Sequence, residues 1–294
     1  MGDITLRKAL DDYKTIYMPY RNFADRTRVE YQNDLEGLVM FLERSGITYV
    51  KELTLPTIER YVSHLEQKGL GSLTRKRKVV AIRSFFSFLY HDGYINTNIA
   101  LKIVLPFTES TLPNVLTQTE CNYIREACVG SPRDAAIIEL LLQTGIKLSE
   151  LAALTLNDID LDSAGNLSGT MRISGGRGKK ERVIPLNTKA STALKNYLGV
   201  REGTENNLLF LNRFGETLGE RGVQKMLKKY LKNSGVERAT IQTLRHTFGA
   251  QHIAKGTSLK TIQEVMGLKD VRSTSIYQSL AKEIVSRELQ DNAL

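Results

Sequence analysis

The sequence predicts a mainly α protein with one small β element, an α+β chain in two parts. Three observations carry that expectation. Apolar residues recur at three- and four-residue spacing through most of the chain, the period of helices with one buried face. A single stretch, 167–186, runs instead as two short apolar segments around a glycine-rich turn, which marks a hairpin. The stretch 106–113 holds two of the six prolines and little periodicity, and reads as an interdomain linker. With 294 residues, the chain is long enough for two ordinary domains.

The first part reads as four helices. Residues 4–18 place Leu6, Leu10, Tyr13 and Tyr17 on one face. Residues 26–44 turn Leu35, Leu38, Val39 and Leu42 inward, with Gly46 just beyond the end. A third helix starts at Thr54 with Pro56 in its first turn. It buries Ile58, Tyr61, Val62 and Leu65 before Gly69. The fourth, 73–91, carries Val79, Ile82, Phe85, Phe86 and Leu89 on its apolar side. It also carries Arg75, Lys76, Arg77 and Lys78 in succession, then Arg83, with no acid close by in sequence. A charge run is usually a solvated face. A helix with a basic start and an aromatic stripe also suits contact with a DNA backbone or groove.

The second part opens on a capping box, Thr117 to Glu120, and a helix to Cys128. Ser131-Pro132 starts an apolar helix through Ile137, Ile138, Leu141 and Leu142 to Gly145, and a short helix covers 148–154. Strands at 167–174 and 181–186 flank the Gly175–Gly178 turn, giving a hairpin with a basic tip. Helices follow at 188–200, 219–233, 241–255, 258–266, 271–279 and 281–290. The last bears a stripe of Leu280, Ile284, Val285 and Leu289.

Composition narrows the function. Lys plus Arg number 41 against 32 Asp plus Glu, a formal net charge of +9. Such a balance suits a polyanion, because each bound phosphate releases counterions. Cys121 and Cys128 share a helix face and read as reduced structural thiols. The four histidines, His64, His91, His246 and His252, form no zinc-spaced cluster. No apolar run approaches the roughly 20 residues of a membrane span, and the first residues lack the apolar core of a secretory signal. The expectation is a cytoplasmic protein with no metal, no cofactor and no membrane partner.

Three segments then read together: Thr144-Gly-Ile-Lys-Leu-Ser-Glu150, Gln242-Thr-Leu-Arg-His-Thr-Phe248, and Gly267-Leu268 followed by Tyr277. Their order and spacing, with a basic hairpin between the first two, resemble the tyrosine recombinases, the family of phage integrases, Cre and the Xer proteins. The resemblance covers essentially the whole chain and is Xer-like in its simple two-domain plan. It implies a helical core-binding, SAM-like domain at 1–105, a linker at 106–113, and a mixed α/β catalytic domain at 114–294 ending in a helix exchanged between protomers. It implies a clamp on duplex DNA that cuts and rejoins strands through a 3′-phosphotyrosine and a Holliday junction. The assembly would be a homotetramer on two DNA sites, or a heterotetramer with a related recombinase.

By the resemblance, Tyr277 is the nucleophile, Arg245 a phosphate-binding arginine and Glu150 the carboxylate that orients the basic groups. The chemistry favours such a set. Charge builds on the nonbridging oxygens in the transition state, and preorganised cations stabilise it. Four positions depart from the family pattern. Lys147 stands where the family has its first arginine, and it keeps charge but not two-bond geometry. Arg177 stands for the hairpin lysine and is a poor proton donor; Lys179 or Lys180 can reach in instead if the hairpin moves, and both also read as DNA contacts. Gln242 replaces a histidine and takes up no proton, and Leu268 replaces a histidine or tryptophan and only packs. Two accounts fit: a working recombinase with redistributed basic groups, or a catalytically weak or inactive architectural DNA-binding relative. A relaxase or topoisomerase that reseals without exchange is a third.

Overall fold

The computed structural model describes residues 3–108, 112–161, 169–175, 181–203, 205–268 and 271–291. It divides into two compact units, Met1–Ser110 and Thr111–Leu294. The architecture is mostly helical with one three-stranded sheet, as the apolar periods predict.

In the first unit, Thr5 caps α1 (Leu6–Asp12) by accepting the Lys8 N–H. The helix then widens into a π turn, Tyr13–Tyr17, before α2 (Met18–Tyr20). The sequence reading had one uniform helix here. Pro19 explains the difference: it lacks an N–H, and its ring crowds the carbonyl four residues back. Within the widened turn the rings of Tyr13 and Tyr17 stack, 5.3 Å between centroids. Helices α3 (Asp25–Arg44), α4 (Leu55–Gln67) and α5 (Ser72–His91) complete the unit. Leu35, Leu38, Val39, Leu42, Ile58, Phe85, Phe86 and Leu89 are buried in one core, the faces the periodicity picks out.

The second unit begins with α6 (Gln118–Ala127), capped by Thr117 and Glu120. Cys121 and Cys128 are buried and unbridged; burial pushes their thiols up to about 11 and about 12. Helix α7 (Pro132–Thr144) ends at Gly145, whose φ of 58° is a left-handed cap that favours glycine. Next come α8 (Leu148–Ala153), strands β1 (Ile159–Asp160), β2 (Thr170–Ile173) and β3 (Arg182–Pro185), then α9 (Thr188–Leu198) and α10 (Glu220–Asn233). The sheet is antiparallel in the order β1-β2-β3, with Met171 opposite Ile184 and Ile173 opposite Arg182. The hairpin is as expected. The edge strand β1 is not, since two residues carry no readable period. The turn at 176–180, with Arg177, Lys179 and Lys180, lies outside the described residues.

Helices α11 (Ile241–Ala254), α12 (Leu259–Met266) and α13 (Val271–Asp291) close the chain. Here the structure corrects the sequence reading, because 271–291 is one helix rather than two. Leu280 and Ala281, at the expected break, are buried. Leu280 and Ile284 pack with Phe248, Ala250, Ile262, Met266 and Tyr277 in a second apolar cluster of the unit. Half of the stripe expected to dock on a neighbouring protomer is therefore spent at home. Only Val285 and Leu289 of the four are exposed. Among the described residues, no helix is long and apolar enough to cross a membrane.

This packing separates two truncations. Leu280→Ala should lower the unfolding free energy by about 2–5 kcal/mol, the range for a buried leucine. Leu289→Ala, with a side chain 71% exposed, should change it by no more than about 0.5 kcal/mol. Denaturant midpoints measured side by side check this; equal, small shifts would mean that the second half of α13 does not belong to this core.

Candidate active site

The site is built on the end of α12. The last carbonyls of a helix have no partners within it and carry a partial negative charge. Here three consecutive carbonyls each meet a different cation. Val265 accepts from Arg182 Nε at 2.7 Å, Met266 from Arg245 Nη2 at 2.7 Å, and Gly267 from Lys147 Nζ at 3.5 Å. Gly267 caps the helix with φ 60°. A Cβ there would sit 2.9 Å from Arg182 Nη1, so the backbone lies directly against that guanidinium.

Arg245, only 3% exposed, also donates through Nη1 to the carbonyl of Gly145. It thus joins the α7–α8 loop to the end of α12. Burial lowers its pKa, and the nearby Tyr277 and Glu150 act against that; a guanidinium stays charged regardless. Glu150 is the carboxylate of the cluster. Its Oε2 accepts the Lys147 backbone N–H at 2.9 Å as part of the cap of α8. Its two oxygens also take Arg182 Nη1 and Nη2 at 3.1 and 2.7 Å. Burial works to raise the Glu150 carboxyl, but these bonds and the charges of Arg182 and Lys147 outweigh it and hold it below its ordinary value.

Tyr277 lies in the first turns of α13, 2% exposed. Glycine at 249 makes room for it, since a Cβ there would fall 2.6 Å from the tyrosine ring. Burial raises the Tyr277 hydroxyl pKa, opposed by the charge of Arg245. The ring of His246 lies 5.6 Å from that of Tyr277. Its Nε2 is 3.2 Å from Gln242 Nε2, and its Nδ1 is buried without a hydrogen-bond partner among the described residues. Burial, then Arg245, lowers the His246 pKa, so the ring is neutral near pH 7. Leu268 packs against the cluster that holds Tyr277.

The structure therefore gathers Lys147, Glu150, Arg245, Tyr277 and Leu268, and reaches Gln242 through His246. Arg177, Lys179 and Lys180 lie outside the described residues. Sequence reasoning missed Arg182. The signal was present: in β3 it shares a face with buried Ile184 and, beyond it, Leu186, and an arginine on an inward face needs a partner. Among the described residues, no group of His, Cys, Asp and Glu side chains is placed to hold a metal ion.

The basic run of α5 is less free than its sequence implies. Arg75 pairs with Glu66, Arg77 with Glu30 and Asp34, and Lys78 with Asp34 at 2.7 Å. Lys76 donates to Thr108, and Arg83 to the carbonyls of Leu101 and Ile103. The acids missing from the local sequence arrive from α3 and α4.

Residues 114–283 match the phage integrase family, and residues 10–93 match the phage integrase N-terminal SAM-like domain. The tyrosine recombinase XerC of Pelotomaculum thermopropionicum is 33% identical, over 93% of this chain and 94% of its own. The chain belongs to the tyrosine recombinase family. XerC of Bacillus subtilis is 31% identical over 90% of this chain and 89% of its own. Among solved structures, a lambda integrase dimer bound to a COC′ core site covers 94% of this recombinase with a TM-score of 0.76 and 19% identity, over 77% of that chain. The XerH recombinase bound to palindromic difH in a post-cleavage complex also has a TM-score of 0.76, at 21% identity, covering 95% of this chain and 83% of that one. At such identities the structural likeness speaks to the fold.

The Glu150 geometry sets a pH dependence. A carboxyl held below its ordinary 4.5 binds fewer protons folded than unfolded between those two values. Its contribution to stability is then present above about pH 4.5 and lost as pH falls through the lowered value. The stability gap between wild type and Glu150→Gln, measured by thermal melts across pH, should be widest near neutrality and close in acid. A gap independent of pH would show that the carboxylate charge is not what matters.

Proposed function

We propose that this protein is a site-specific DNA recombinase that cuts and rejoins duplex DNA through a 3′-phosphotyrosyl bond to Tyr277. The observation that carries the proposal is that Tyr277 packs against α11 at Gly249, one helical turn from Arg245, whose guanidinium is fixed by two backbone carbonyls. The Tyr277 oxygen attacks phosphorus, the bond from phosphorus to the 5′ oxygen breaks, and that oxygen leaves as a hydroxyl after gaining a proton. The tyrosine loses one proton and the leaving oxygen gains one, so the step is proton-neutral overall, with solvent carrying the transfer. Energy is conserved in the new phosphotyrosine ester, which the 5′-hydroxyl of a partner strand later attacks to reseal the DNA.

Arg245 and Lys147 supply positive charge to the nonbridging oxygens. A guanidinium carries five N–H donors, more than the Gly145 and Met266 carbonyls take up, so Arg245 has donors for a phosphate. Gln242 and His246 form the polar wall beside the tyrosine. The hydroxyl sits on a ring that is almost wholly buried, so cleavage follows a shift of α13 that brings it to the DNA. The working unit would be a tetramer across two DNA sites in the cytoplasm, built from this chain alone or with a related recombinase. Duplex contacts would come from both units, including Lys76 and the hairpin residues Arg177, Lys179 and Lys180.

A nicked duplex that traps cleaved product, carrying a site chosen by in vitro selection for binding, tests this directly. Wild type should form an SDS-resistant adduct and Tyr277→Phe none. Arg245→Ala should slow adduct formation by about a hundredfold or more, the effect of losing one preorganised donor. Tight binding by wild type with no adduct would leave the noncatalytic, architectural account standing instead.

A further inference from the structure

Among the described residues, Arg182 is the one cation of the cluster that the proposed chemistry leaves without a task. Its placement is over-determined. Nε is committed to the Val265 carbonyl, Nη1 and Nη2 to the two oxygens of Glu150, and the Gly267 backbone lies against its face. The side chain is 15% exposed and that of Glu150 is 12% exposed. Arg182 also opens β3 opposite Ile173, at the base of the hairpin.

Glu150 is contested between two cations. Arg182 meets it through the planar two-bond fork at 2.7 and 3.1 Å, while the Lys147 ammonium stands 3.9 Å from Oε1. The fork is the stronger arrangement by geometry and by its lower hydration. Glutamate so close to Lys147 would otherwise draw that ammonium in and offset the charge meant for a phosphate. We propose that Arg182 is a positioning residue: by holding Glu150 in a two-bond pair it limits the carboxylate's pairing with the Lys147 ammonium to a long 3.9 Å contact and fixes the hairpin base to the end of α12. The role assigned to Lys147 rests on the recombinase reading above.

The test is a double-mutant cycle. Arg182→Gln removes the fork and leaves the carboxylate to Lys147 alone, and adduct formation on the nicked duplex should fall roughly a hundredfold, as for a lost preorganised donor. DNA affinity should stay within a few fold. Adding Glu150→Gln removes the carboxylate that was let loose, so the double variant should cleave at least about tenfold faster than Arg182→Gln alone, a non-additive coupling between partners. A purely structural arginine predicts the reverse, with the two losses adding and the melting temperature falling in step. Arg182→Gln cleaving at the wild-type rate, or a double variant no faster than the single, overturns the proposal. Should Arg182→Gln fail to fold, Arg182→Lys keeps the charge without the fork and must also be slow; a wild-type rate there overturns it equally.

A second readout needs no cleavage. In a Tyr277→Phe background, affinity is compared for the same duplex with a phosphate or an uncharged methylphosphonate at the scissile position. Preference for the phosphate should weaken in Arg182→Gln and return in the double variant, and an unchanged preference overturns the positioning role. Wild type that forms no adduct but shows this pattern would sink the recombinase reading and leave the positioning role intact.

Discussion

Three cations converge on one helix end, and the arrangement of the catalytic unit follows from what makes that tolerable. Two unit charges 4 Å apart at an effective dielectric of 20 repel by about 4 kcal/mol. A helix C-terminus returns only about 0.3–2 kcal/mol per cation. The carbonyls of Val265, Met266 and Gly267 offset only part of the repulsion among Arg182, Arg245 and Lys147. Glu150 supplies the one full negative charge described at the cluster, and the cluster remains net positive. Each cation comes from a different segment: the α7–α8 loop, β3 and α11. The same bonds that aim the charges thus lock three parts of the unit to α12, and the left-handed cap at Gly267 turns its carbonyl toward Lys147.

Much of this was legible in the sequence. The helices of the first unit were readable because each has a full apolar stripe, and Leu35, Leu38, Val39, Phe85 and Phe86 are buried where the period puts them. The order of Lys147, Glu150, Arg245 and Tyr277 was readable as a resemblance. Backbone carbonyls were not, because they belong to every residue alike and only the end of α12 makes three of them special. Arg182 was hidden among the other basic residues of the hairpin, although its face of β3 set it apart. The continuity of α13 was missed for a different reason: no glycine or proline separates Tyr277 from the following stripe, and the helix had no cause to stop.

The departures from the family pattern look different once placed. Lys147 has a carbonyl and a carboxylate within reach. Gln242 sits one helical turn from His246, beside its Nε2, so an imidazole stands next to Tyr277 although it is not the one the pattern specifies. Leu268 packs against the apolar cluster that includes Tyr277. These three replacements are integrated into their surroundings rather than left as gaps; the fourth, Arg177, lies outside the described residues.

Asp34 has a consequence for how strongly this protein senses salt. It is 2% exposed and takes both Arg77 and Lys78. A polyelectrolyte registers only cations that displace its own condensed ions, and the slope of log affinity against log salt counts those exchanges. Arg77 and Lys78 join that count only by abandoning a buried carboxylate, which is costly. The number of displaced ions is then smaller than the formal charge of +9 and the basic run invite one to expect. Binding would decline more gently as salt rises, with a larger share of the affinity carried by fit than by charge.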